Sequence, residues 1–208
     1  LYKKPSFSIE DIKLKLFYVI PKNRTDKVFK EWQSLLKNTA DEASLFHSTQ
    51  FRNLSKITYD IYPEPVILEN DNLYYDTENT NNGNPEAIRS IIPELEERFK
   101  DFLRPKLNER FVIGLVYEGV GASGALGEGA DKGAFILSRS FLAEDEFQPF
   151  GSSLFYHEFG HTLGFPDMYD LSSNQPFSED IMGGGRRKPL SINYIDSNLL
   201  KETGIFPN

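Results

Sequence analysis

The sequence predicts an α/β fold, and three observations carry that expectation. Apolar runs with strand character alternate with segments at helical spacing along most of the chain. One run, Phe111–Tyr117, is apolar enough to be buried on both faces, as a strand covered by helices would be. The length of 208 residues, with 39% hydrophobic and 26% charged residues, suits one domain or two small lobes around a real core.

Taken in order, Leu14–Ile20 reads as a buried strand that Pro21 stops. Asp26–Asn38 follows as a helix, with Val28, Phe29, Trp32, Leu35 and Leu36 at helical spacing. Ile57–Val66 alternates and reads as a second strand, whose end Pro63 and Pro65 assign to an edge. Asp71–Asn84 is polar and reads as an exposed loop. Pro85–Leu103 is the longest helical pattern, and Pro93 inside it predicts a kink or two abutting helices. After the strand Phe111–Tyr117, the glycine-rich stretch Gly119–Gly133 reads as a flexible loop over a cleft. It lacks the Gly-x-x-x-x-Gly-Lys-Ser/Thr pattern and the following helix of a phosphate-binding loop. Gly133–Ser138 is a further strand. A helix is expected over Ser152–Leu163, and a last one over Ser191–Thr203, stopped by Gly204.

Composition excludes several function classes. A formal charge of −8 argues against a general nucleic-acid binder. No run approaches the roughly 18 apolar residues of a membrane span. With no cysteine, neither a disulfide framework nor a thiolate metal site is possible. The chain begins at Leu1, which reads as a mature or trimmed form.

The most informative stretch is His157-Glu158-Phe159-Gly160-His161-Thr162-Leu163-Gly164-Phe165-Pro166-Asp167. On a helix, His157 and His161 project from one face, a turn apart, so two neutral imidazoles can reach one zinc ion. Glu158 is rotated off that face, poorly placed as a ligand but well placed to bond a water on the metal. Metal-assisted hydrolysis of a peptide bond calls for this arrangement. Gly164 can close the helix and Pro166 cannot continue it, so the chain should turn back and present Asp167 as third ligand. Glu179 and Asp170 stand as alternatives for that position. Downstream, Met182 sits in a glycine-rich turn, Asp180–Gly185.

This pattern, followed by the Met-containing turn, resembles the metzincin metallopeptidases, in the subgroup with Asp as third ligand. Snapalysin-like and immune-inhibitor-A-type peptidases are similar. The resemblance covers about residues 152–185. It implies a twisted mixed sheet with helices as an upper lobe (1–164, including the zinc helix). A small irregular lower lobe (165–208) then holds the Met-turn and a C-terminal helix. It implies a zinc endopeptidase in which His157, His161 and Asp167 bind the metal, Glu158 is the general base and Met182 is an apolar floor. It also implies an antiparallel edge strand that holds extended substrate, for which Gly133–Ser138 is the candidate by position. Many metzincins carry a Tyr two residues after that Met; here Gly184 stands there, which excludes a Tyr switch ligand.

The expected partner is a protein or peptide substrate, and the expected form is a secreted or cell-surface monomer. Other signals have bland competitors. Glu128 and Asp131 are weighed as a structural calcium site against a solvated loop. Arg186-Arg187-Lys188 is weighed as a contact for an acidic substrate side chain against a solvated surface, which is favoured. Tyr169 and Tyr194 are each either an oxyanion donor or a packing aromatic. His47, the third histidine of the chain, reads as an ordinary surface residue.

Overall fold

The computed structural model describes residues 8–76, 86–105, 111–120, 123–126 and 132–206. The candidate calcium residues Glu128 and Asp131 lie outside them, as do positions 77–85 of the expected loop and helix start. In chain order the elements are β1 (Asp11–Ile20), α1 (Trp32–Gln50), β2 (Lys56–Ile61), β3 (Val66–Ile67), α2 (Asn72–Tyr75) and α3 (Glu86–Arg98). They continue with β4 (Phe111–Tyr117), β5 (Ser123–Leu126), β6 (Lys132–Ser138), α4 (Ser140–Ala143), α5 (Gly151–Thr162) and α6 (Ser197–Glu202).

The strands form one mixed sheet in the order β2-β1-β4-β6-β5, with β3 also pairing β1. All pairs are parallel except β5 with β6, which runs Ser123↔Leu137 to Leu126↔Ala134. Side chains alternate across the central strands with period two. Leu14, Leu16, Tyr18 and Ile20 of β1 join Val112, Val116, Phe135 and Leu137 on one face, under α1 and α5. Phe17 and Val19 join Ile113, Leu115, Tyr117 and Ile136 on the other, under α3 through Ile88, Ile91 and Leu95. β4 is buried along its whole length, as its apolar run predicts.

Several expectations are corrected. The first helix is not Asp26–Asn38: Lys22–Lys27 forms 3₁₀ turns, and α1 begins at Trp32 and runs on to Gln50. Its buried stripe of Leu36, Ala40, Ala43 and His47 continues the 4-3-4 spacing that polar neighbours obscure. Ile57–Val66 is two short strands rather than one, interrupted at Tyr62–Pro65, where the prolines cannot donate to a ladder. The Asp71–Asn84 stretch contains α2, whose Tyr75 is buried. Helix α3 is continuous across Pro93, whose ring lies on the exposed face of the helix. The expected C-terminal helix shrinks to a 3₁₀ turn at Leu190–Ile192 and to α6, which Asp196 caps through its side chain before Gly204 turns left-handed.

Two corrections bear on the site. Strand β6 is interior to the sheet; the antiparallel edge is β5, lying inside the stretch expected to be a flexible loop. And His47 is not a surface residue. It is fully buried, with its ring 4.4 Å from that of Phe51 and its two nitrogens against Tyr156 and Ser55.

Candidate metal centre

Helix α5 packs beneath the sheet through Phe155, Tyr156 and Phe159, while His157 and Glu158 are themselves almost completely buried. The helix ends at Thr162, and Gly164 (φ 89°) supplies the left-handed step that reverses the chain. That reversal delivers Phe165 and Asp167 back against the helix.

Backbone carbonyls fix both imidazoles. Nδ1 of His157 lies 3.0 Å from the Ile181 carbonyl and Nδ1 of His161 lies 2.8 Å from that of Phe165. A carbonyl only accepts, so each Nδ1 carries the proton and each neutral ring turns an Nε2 lone pair inward. The two Nε2 atoms are 3.2 Å apart, and Oδ1 of Asp167 is 3.3 Å from one and 3.2 Å from the other. With both rings neutral, as a metal requires, three acceptors converge on one point, and the buried Asp167 Oδ1 is then left without a hydrogen-bond donor. Tetrahedral ligands at about 2.0–2.1 Å from a zinc ion stand about 3.3 Å from one another. The donor set, its spacing and the orphaned oxygen all fit zinc. Among the described residues these three form the one cluster of this kind.

The electrostatics point the same way. Burial opposes charge on His161, but the Asp167 carboxylate 3.2 Å from its Nε2, with Glu158 nearby, outweighs it and pushes its pKa up to about 9. Burial likewise opposes charge on Asp167, yet the two histidines hold its carboxyl far below the usual range. The pocket attracts a positive charge, proton or metal.

The Met-containing turn buttresses this arrangement. Ile181 offers its carbonyl to His157, and Met168 donates to the Met182 carbonyl at 2.9 Å. The Met182 side chain is fully buried, its sulfur 2.9 Å from where a Cβ on Gly160 would stand, so glycine lets it pack against the α5 backbone. The alternatives for the third position are engaged elsewhere. Glu179 is exposed and pairs with Lys188 at 2.6 Å, and Asp170 accepts from Ser172 and Ser173 in its own exposed turn.

Arg186 corrects the solvated reading of the basic run. It is buried, donates to the Gly183 carbonyl at 2.7 Å and to Asn174 Oδ1 at 3.0 Å, and lies 3.6 Å from the centre of the Tyr169 ring. Arg187 alone of the three is exposed, Lys188 being half-buried. Tyr169 in turn sits 5.9 Å from the His157 ring, and burial together with the nearby Asp167 carboxylate pushes its pKa up. Tyr194 is exposed, and only its carbonyl serves the turn, accepting from Ile181. One contact lay beyond sequence reasoning: the Ser123 hydroxyl on β5 donates to Oε1 of Glu158 at 2.6 Å.

No protein-family model matches the chain, and no curated protein matches it by sequence. Among solved structures, 97% of the chain aligns with metalloproteinase-II from Bacteroides fragilis, with a TM-score of 0.51 and 12% identity. The chain spans about half of that structure, 55% of its length. At this identity the likeness is one of fold: the chain has a metallopeptidase-like α/β fold, with a His-His-Asp group suited to a metal at its centre.

Proposed function

We propose that the chain is a zinc-dependent endopeptidase of the metzincin kind, with His157, His161 and Asp167 as ligands and Glu158 as general base. The observation that carries the reading is the set of three separations, 3.2, 3.2 and 3.3 Å, among inward-facing acceptors. Zinc bound there would polarise a scissile carbonyl and acidify a water molecule. Glu158, one residue along the helix from His157, accepts the proton of the attacking water and returns it to the departing amine. The carbonyls of Ile181 and Phe165 keep both rings in the tautomer that offers Nε2. An extended peptide fits the outer edge of β5, the terminal strand of the sheet, adding one more strand beside the base.

The test is hydrolysis of a protein substrate such as casein by wild type and Glu158→Gln, with zinc content measured on both. The expected result is full zinc in both and cleavage lowered about a hundredfold or more in the variant. Cleavage that survives Glu158→Gln would remove the glutamate from the chemistry.

A further inference from the structure

Helix and edge strand meet at one polar contact that the proposed reaction leaves unused. Glu158 is 7% exposed, and among the described residues its hydrogen-bond donor is the Ser123 hydroxyl, 2.6 Å from Oε1. Ser123 opens β5, where it pairs with Leu137 of β6, and it is only partly buried. A serine hydroxyl has one proton to give. Donating it to Oε1 occupies one acceptor position of the carboxylate and orients the group, so that Oε2 is the oxygen the contact leaves unbonded for a proton.

We propose that Ser123 is a positioning residue for Glu158, tying the general base to the strand along which substrate would lie. The inference rests on the peptidase reading for its consequence but not for its geometry. The side chain that orders the base belongs to the same four-residue strand whose outer edge pairs with no other strand among the described residues. A peptide pairing with β5 therefore steadies Ser123 and, through it, the carboxylate. The coupling runs through one bond, so removing it should slow the chemical step more than it weakens binding. Hydrogen bonds to charged groups are worth enough to make the effect about tenfold or more.

The test uses Ser123→Ala and Ser123→Thr in the whole chain. The expected result for Ser123→Ala is a kcat about tenfold lower or more, with KM within about twofold, and unchanged zinc content and melting temperature. Ser123→Thr, which keeps the hydroxyl, should recover most of the rate. A second readout does not depend on activity: in zinc-free protein, the side-chain carboxyl ¹³C resonance of Glu158, assigned by its loss in Glu158→Gln, should move in Ser123→Ala and stay near its wild-type position in Ser123→Thr. An unmoved resonance would overturn the proposal. So would a kcat equal to wild type, or a kcat that rises, which would make the contact a latch the enzyme must break. The two readings fail separately: if Glu158→Gln leaves cleavage intact the peptidase mechanism falls, whereas the resonance still reports on the Ser123 contact.

Discussion

The hydroxyl of Tyr156 donates to Nδ1 of His47 across 2.8 Å, joining the residue before the first site histidine to helix α1. The direction follows from the next link. Ser55 donates its one proton to the Ile9 carbonyl, so it can only accept from His47, whose Nε2 is 2.6 Å away. His47 is therefore the neutral Nε2–H tautomer, and Nδ1 must accept from Tyr156. A relay runs from α5 through α1 to the lead-in of β1, wholly buried.

Removing the centre of that relay should be costly. His47→Ala deletes a buried ring stacked on Phe51 and leaves the hydroxyls of Tyr156 and Ser55 short of a partner. The expected loss is about 2–4 kcal/mol, read from urea denaturation of zinc-free protein. A loss below about 0.5 kcal/mol would mean that the network does not contribute.

The same residue sets a pH dependence. Burial lowers the pKa of His47 from 6.5 to about 3. Above pH 6.5 it is neutral in both states and has no effect. Below that, the unfolded chain binds a proton that the folded chain refuses, so stability falls as pH drops, until about pH 3. The slope from this one group approaches about 1.4 kcal/mol per pH unit. His47→Gln should show a shallower decline than wild type between pH 6 and 4, measured on zinc-free samples. Parallel curves would contradict the buried neutral state.

Arg186 should matter for metal retention although it touches no ligand. Its guanidinium covers the Tyr169 ring, and Tyr169 lies against both His157 and Asp167. Arg186→Met should weaken zinc binding about tenfold in a chelator competition. An unchanged affinity would reduce the stack to packing.

The motif was legible because its chemistry is local: two imidazoles one helical turn apart, a glycine to end the helix and an aspartate after the turn. β4 was legible as a continuous apolar run, and β1 through its apolar second half, Leu16–Ile20. Strand β5 was not, because Ser123-Gly124-Ala125-Leu126 has small side chains and no alternation; only its pairing with β6 makes it a strand. His47 was misread because its partners lie 8 and 109 residues away, and nothing in its immediate neighbourhood announces them. Its place on the Leu36, Ala40, Ala43 stripe was the available signal. Arg186 was misread for a similar reason: the ring it covers and its Asn174 acceptor come from a separate turn. Tertiary pairing, not local pattern, decides such residues.

Zinc content of wild type and Asp167→Ala, measured together with casein cleavage with and without a chelator, tests the central claim most directly. The account predicts one zinc ion per wild-type chain, chelator-sensitive cleavage, and loss of both in the variant. Full zinc in Asp167→Ala would contradict it, because the three converging acceptors would then not be the ligand set.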